Sequence, residues 1–135
     1  MAEPVVLRAH HLLCAGEFRG LGYTPVFVAN FARVLAGLAG RPAARVRLTD
    51  GTDVICAACP WLVEGSCVRD GGGEAAVSRL DGLVLARLGL EPGATLTWAR
   101  LRGLADERAD RAWRMKVCRE CSWFGAPCYQ ALLRI

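Results

Sequence analysis

The chain has 135 residues, which suits one domain with its own hydrophobic core, and 53% of them are hydrophobic, which argues against disorder. The formal net charge is +4, but no basic block interleaved with aromatic residues marks a nucleic-acid surface. No apolar run reaches the roughly 18 residues of a membrane span, and the N-terminus lacks the basic start and apolar run of a signal peptide. We therefore expect one cytoplasmic domain, residues 1–135, that contacts neither membrane nor nucleic acid.

Capping residues predict where several helices begin and end. Thr24 and Pro25 suit the N-cap and first turn of a helix, and Thr97 suits the N-cap of a later one. Gly37 and Gly40 are expected to end the first of these helices. A break near 105–106 is expected to interrupt the later one.

Apolar spacing supplies the remaining elements and the fold class. Apolar residues repeat at helical spacing over 27–38 and 77–88, with Leu80 and Leu83 expected inward, and alternation over 45–49 predicts a strand. We expect an α+β, mostly helical domain with one or two short strand pairs and cysteine-rich metal-binding loops. The expected elements are a strand over 5–8, a helix over 10–17, a helix from Thr24, a strand over 45–49, a cysteine-bearing loop, a helix over 74–88, a helix after Thr97 and a closing helix over 129–135.

Two copies of one cysteine pattern stand out in the sequence. Each copy has a Cys-x-x-Cys pair, a tryptophan two residues after the pair, and a third cysteine seven or eight positions past the second. A seventh cysteine lies just after the two histidines of the chain. The candidate metal-ligating and cofactor-binding residues are Cys14, Cys56, Cys59, Cys67, Cys118, Cys121, Cys128, His10 and His11.

Ligand type and count favour iron–sulfur clusters. In a reducing cytosol patterned thiols are more often metal ligands than disulfides, and an odd number of cysteines does not allow complete pairing. Two [4Fe-4S] clusters take four ligands each, which is eight in all, and seven cysteines with one imidazole would supply these eight. His10 and His11 can share a helix face with Cys14, so this segment could complete both triads. A single cluster, or a cluster with an open iron position, stays open.

Zinc is the main alternative, because it binds the same Cys-x-x-Cys turn. The cysteine spacing resembles the two halves of the fungal binuclear zinc cluster. In that fungal motif the two halves are joined by a short link with a basic helix. Here fifty residues separate Cys67 from Cys118 and no basic run follows the first pair, which argues against a DNA-binding zinc cluster. A thiol-redox or disulfide role is a third interpretation.

Four ordered segments carry a family resemblance. They are RAHHLLC over 8–14, FRGxGY over 18–23, ICxxCP over 55–60 and CxxCxWxGxxC over 118–128. Together they resemble a small prokaryotic family, the domain of unknown function 1284, over nearly the whole chain. The resemblance implies iron–sulfur binding by the matched cysteines and little about a reaction.

Three functions follow from these patterns. The first is an electron carrier or accessory protein with a redox protein partner. The second is a cluster enzyme with an open iron site for Lewis-acid or sulfur-transfer chemistry, whose polar groups would be His10, His11, Arg19 and Tyr23. The third is a zinc-stabilised interaction module. No nucleophile–base arrangement, phosphate loop or paired-carboxylate motif defines a reaction, so both enzyme activity and oligomeric state stay open.

Overall fold

A small sheet and the helices packed against it organise the domain. The computed structural model describes residues 3–17, 24–58, 62–64, 66–67 and 73–118. Their arrangement confirms the α+β, mostly helical class. The elements in chain order are β1 (Val5–Arg8), α1 (Ala9–Glu17), α2 (Pro25–Ala39), β2 (Arg45–Thr49), a 3₁₀ turn (Cys56–Ala58), β3 (Leu62–Val63), β4 (Ser66–Cys67), α3 (Gly73–Leu88), β5 (Thr95–Thr97), α4 (Trp98–Arg108) and α5 (Arg111–Cys118).

The main sheet has the strand order β1-β2-β5. β1 runs parallel to β2, so the chain must cross over between them, and α1 and α2 form that crossover. β5 pairs antiparallel with β2. The predicted alternation in β2 is confirmed, because Val46 and Leu48 are buried while Arg45 and Arg47 are exposed. β5 itself was not predicted.

Helix α2 begins where its capping residues predict. The Thr24 hydroxyl accepts the Phe27 N–H at 3.1 Å, and Pro25 is in the first turn. The helix ends at Ala39 with Gly40 as its C-cap, which confirms the predicted end at Gly40, whereas Gly37 lies inside the helix and does not end it. Buried residues on both sides of Gly37 hold the helix together through that position, despite its low helix propensity. They are Phe27, Phe31, Val34 and Leu38.

Helix α3 buries Val77, Val84 and Leu88 as its apolar spacing predicts, but the prediction for Leu83 is wrong. Leu83 was expected to face inward but is 40% exposed, whereas Asp81 is fully buried. The buried side of the helix therefore includes an acidic residue, which pairs with Arg8 of β1. Its buried members are Val77, Asp81, Val84, Leu85 and Leu88.

Helix α4 confirms the Thr97 cap, because the Thr97 hydroxyl accepts the Arg100 N–H at 3.2 Å. The expected break at 105–106 is wrong, since the helix continues to Arg108. The break between the two helices lies instead just before Arg111. There the Asp110 carboxylate accepts the Trp113 N–H at 2.9 Å and caps the start of α5.

The first cysteine copy was expected to be a loop, but it contains the 3₁₀ turn, and the antiparallel β3–β4 pair follows. The predicted closing helix over 129–135 lies outside the described residues. Within the described ranges, none of the helices has the length and apolar character needed to span a bilayer.

Candidate metal centre

The parallel pairing of β1 and β2 creates the candidate site. Parallel strands end at the same edge of a sheet. His10 and His11 follow the end of β1, and Asp53 and Cys56 lie in the segment that follows β2. The sheet therefore brings two distant parts of the chain together at one edge.

Three potential metal ligands converge there. One ligand atom each from His11, Asp53 and Cys56 lies within 4.8 Å of the other two. The Asp53 side chain is 0% exposed and that of His11 is 13% exposed, so the group is largely screened from water. Two of the sequence-predicted ligands, His11 and Cys56, are thus neighbours, and Asp53 is an addition that the sequence reasoning missed.

Asp53 acts as an orienting carboxylate, because both of its oxygens are already occupied. Oδ2 accepts the Arg8 backbone N–H at 2.6 Å and lies 2.6 Å from His11 Nδ1. Oδ1 accepts the backbone N–H groups of Ile55 and Cys56, both at 2.9 Å. A carboxylate that hydrogen-bonds one ring nitrogen of a metal-binding histidine is a common outer-sphere partner. Asp53 is better suited to that role than to direct ligation.

The ionisation of Asp53 determines which nitrogen of His11 is available to a metal. Burial alone would raise the pKa of Asp53, but His11 and the backbone N–H donors hold it well below its ordinary value. An ionised carboxylate can only accept, so His11 Nδ1 carries the hydrogen of their bond. In the neutral imidazole the lone pair is then on Nε2, the atom that a metal would bind.

The environment of Cys56 suits a metal ligand better than a free nucleophile. Burial and the nearby Asp53 carboxylate raise the pKa of the Cys56 thiol to about 12. A free thiol in this position is protonated at neutral pH and a weak nucleophile. A bound metal cation reverses this preference, because metal ligation deprotonates a thiol outright.

A second histidine–carboxylate pair lies beside the first. His10 Nδ1 lies 2.7 Å from Asp81 Oδ1, which also accepts the His10 backbone N–H at 3.0 Å. Arg8 Nε donates to Asp81 Oδ2 at 2.7 Å, and the Arg8 guanidinium also pairs with Glu74. His10, Asp81 and Arg8 are all buried. We call Arg8, His10, Glu74 and Asp81 the ion cluster.

The charges within the ion cluster stabilise one another. Burial alone would raise the pKa of Asp81, but His10 and Arg8 lower it. Burial alone would lower the pKa of Arg8, but Glu74 and Asp81 raise it above its ordinary value. The rings of His10 and His11 are 4.4 Å apart between centroids, so the ion cluster touches the candidate metal centre.

The structure locates the other predicted site residues only in part. Cys14 is half-buried in α1, on the edge of the hydrophobic core. Cys67 lies in β4 and Cys118 is the last residue of α5. The remaining five, which lie outside the described residues, are Cys59, Cys121, Cys128, Arg19 and Tyr23.

Both missed carboxylates left a signal in the sequence. Asp53 stands three residues before Cys56, the spacing at which an Asp side chain accepts N–H groups of a following turn. Asp81 stands at the apolar spacing of α3, four residues after Val77 and three before Val84. An acid in such a row indicates a buried charge that has a partner.

Comparison with known proteins gives a family and no function. A family model described as "Protein of unknown function (DUF1284)" matches residues 22–127. No curated protein and no solved structure gives a significant match. The matched range covers most of the chain and includes Asp53, Cys56 and Asp81. The chain therefore belongs to the DUF1284 family of proteins of unknown function.

Proposed function

We propose that this protein binds iron–sulfur clusters and that His11 and Cys56 ligate the same cluster. The supporting observation is that the parallel pairing of β1 and β2 brings His11 next to Cys56, the first residue of the first cysteine triad. His11 is far from Cys56 in sequence, and it supplies the fourth donor that the first cysteine triad lacks. The role we propose is one-electron transfer to a redox protein partner.

The donor set fits this proposal. Cys56, Cys59, Cys67 and His11 would hold one [4Fe-4S] cluster, and Cys118, Cys121, Cys128 and Cys14 would hold the other. Histidine can replace cysteine as a cluster ligand, and this raises the reduction potential. When bound, such clusters supply one-electron redox chemistry.

The surrounding residues prepare the ligands. Asp53 fixes the ring of His11 through Nδ1, and it also holds the turn that starts at Cys56 through two backbone N–H groups. The Cys56 side chain is buried, so water has little access to its sulfur. Low access to water and hydrogen bonds around the ligands are the usual means by which a protein sets a cluster potential.

The second candidate function is a zinc-stabilised interaction module, and one distance favours it. A nitrogen and a sulfur bound to one tetrahedral zinc lie about 3.5 Å apart, given bond lengths of about 2.0 and 2.3 Å. One ligand atom each of His11, Asp53 and Cys56 lies within 4.8 Å of the other two, which is close enough for His11 and Cys56 to share a single ion beside Asp53. A mixed set of imidazole and thiolate ligands is also usual for zinc.

Metal analysis of anaerobically purified protein separates the two candidates. Two clusters predict a brown protein with broad absorption near 400 nm and about eight irons and eight sulfides per chain, while one cluster predicts about four of each. A colourless protein with stoichiometric zinc and no iron would refute the cluster proposal and support the zinc module. The Cys56→Ala and Cys14→Ala variants should each lose or alter one cluster.

A histidine-to-cysteine exchange tests the assignment of His11. The His11→Cys variant should keep the cluster and lower its midpoint potential, because thiolate donates more charge than imidazole. His10→Cys is the matched control, and it should leave the potential of that cluster closer to the wild-type value. If His11→Cys leaves the potential unchanged, His11 is not a ligand.

A further inference from the structure

A cleft of about 240 Å³ lies against α2, and Val54, between Asp53 and Ile55, forms part of its wall. Apart from one glycine and two arginines, its lining consists of aliphatic side chains. Leu38 and Val34 are the most buried of these and form its floor. The aliphatic residues are Val5, Val34, Leu38, Ala44 and Val54.

A glycine keeps the cleft open. Arg33, Gly37 and Arg41 are spaced four residues apart, so Gly37 lies between the two arginines along one row of α2 and its C-terminal end. A Cβ atom added at Gly37 would meet no other atom within 4 Å. Glycine is among the least favourable residues for a helix interior, so the open space comes at the expense of helix propensity.

The cleft carries positive charge without a carboxylate to neutralise it. Arg33 Nη2 donates to Asn30 Oδ1 at 2.7 Å, and that partner is a neutral amide. Within the described part of the chain, neither Arg33 nor Arg41 forms an ion pair, and none of the lining residues is acidic. An apolar floor below two guanidinium groups is complementary to an anion with an apolar body.

We propose that this cleft binds a small organic anion, with its apolar part on Val34 and Leu38 and its carboxylate between Arg33 and Arg41. The volume equals that of about eight water molecules at about 30 Å³ each, which suits a short-chain carboxylate. The proposal does not depend on which metal His11 and Cys56 bind.

The cleft is connected to the loop of the candidate metal centre. Asn30 Nδ2 donates to the Val54 carbonyl at 2.8 Å, and the Val54 N–H donates to the Val6 carbonyl at 3.4 Å. A ligand that contacts Val54 therefore touches the segment that holds Asp53 and Cys56.

Equilibrium dialysis of the protein as purified against radiolabelled octanoate tests the proposal. We expect saturable binding of about one octanoate per chain, and octan-1-ol, which lacks the charge, should compete poorly. Gly37→Leu should reduce binding at least tenfold, because the leucine side chain would fill the cleft. The substitution should not destabilise α2, because leucine has a higher helix propensity than glycine. Gly82→Leu is the matched control, since Gly82 is also an exposed helical glycine with no atom within 4 Å of an added Cβ.

The charge requirement has its own variant. The double substitution Arg33→Gln with Arg41→Gln should weaken octanoate binding about fivefold, as expected for two exposed charge contacts. Absence of saturable binding, equal loss in Gly37→Leu and Gly82→Leu, or equally strong competition by octan-1-ol would each overturn the proposal.

Discussion

Two buried histidine–carboxylate pairs lie side by side in this protein and differ in how their negative charge is balanced. Asp81 pairs with the Arg8 guanidinium as well as with His10, so protein groups supply its counter-charge. Among the described residues, Asp53 has His11 as its only ion-pair partner, and the Cys56 thiol lies close by. Deprotonation of Cys56 adds a second negative charge there, which a metal cation would neutralise.

Under the function proposed above, a similar local geometry serves structure in one place and metal binding in the other. Each carboxylate holds one histidine through Nδ1 and is itself inaccessible to water. Arg8 joins the two pairs, because its backbone N–H reaches Asp53 and its side chain reaches Asp81. Variants that remove only side chains can therefore separate the two roles.

The largest expected effect is on the ion cluster. Arg8→Met removes the guanidinium but keeps the N–H bond to Asp53, and it leaves the buried Asp81 without its permanently charged partner. Breaking a buried ion pair in this way costs about 3–5 kcal/mol. Urea denaturation should show that loss in the free energy of unfolding. Arg100→Met, at an exposed position, is the control, and it should change this free energy by no more than about 0.5 kcal/mol.

A loss below about 1 kcal/mol in Arg8→Met would contradict this view. In that case His10 and the backbone N–H would be sufficient to stabilise Asp81, and the Arg8 ion pair would contribute little to the stability of the fold.

The next largest effect is on metal affinity at the other pair. Asp53→Asn keeps the shape of the side chain but makes two changes. It removes the negative charge that holds His11, and it replaces one of the two oxygens that accept N–H groups. Loss of an outer-sphere carboxylate lowers metal affinity about 10- to 100-fold. The fraction of metal that each variant retains against increasing chelator measures the change. Asp50→Asn is the control, because the contacts of Asp50 use its backbone carbonyl.

The Asp81→Asn variant completes this test. If it weakens metal binding as much as Asp53→Asn does, the two pairs do not differ in the way proposed, and the ion cluster takes part in metal binding.

The smallest effect is on how the free energy of unfolding changes with pH on the acid side of neutrality. The pKa values of Asp53 and Asp81 are below the ordinary value of 3.8 in the folded protein, so the unfolded chain takes up protons first as the pH falls. Their contribution is therefore fully present at neutral pH and is lost as the pH falls below about 4. Each carboxylate adds up to about 1.4 kcal/mol per pH unit to the slope.

Denaturation measured between pH 6 and pH 3 checks the slope. Asp81→Asn should lose the contribution of one carboxylate to the slope, whereas Arg100→Met, which removes no carboxylate, should retain the full slope. Equal slopes in Asp81→Asn and the wild type would show that Asp81 has an ordinary pKa in the folded protein.

Helix α2 shows how far sequence reasoning reached. Thr24 and Pro25 marked its first turn, and the buried positions followed the apolar spacing. Both signals depend on residues within one or two turns of each other, and such local energies can be read from the chain directly. Of the two glycines predicted to end the helix, Gly40 is its C-cap, but Gly37 does not end it, because buried neighbours outweigh the low propensity of one residue.

Helix α3 shows where that reasoning ended. Its apolar spacing suggested that Leu83 faces inward, yet Asp81 is buried and Leu83 is substantially exposed. The inward position of an acid is favourable only because Arg8 and His10 lie opposite it. Those partners come from another part of the chain, so local periodicity could not identify them.

The sequence by itself determined the types of the principal elements, the helix caps and the inventory of thiols and imidazoles, because each depends on neighbouring residues or on composition. Only the tertiary structure decided which carboxylate faces which histidine. His11 meets Asp53 across 42 positions, and His10 meets Asp81 across 71. These meetings depend on the parallel pairing of β1 with β2 and on the packing of α3 against α1, which are long-range interactions. Long-range packing thus made one histidine part of an ion cluster and placed the other beside a buried thiol.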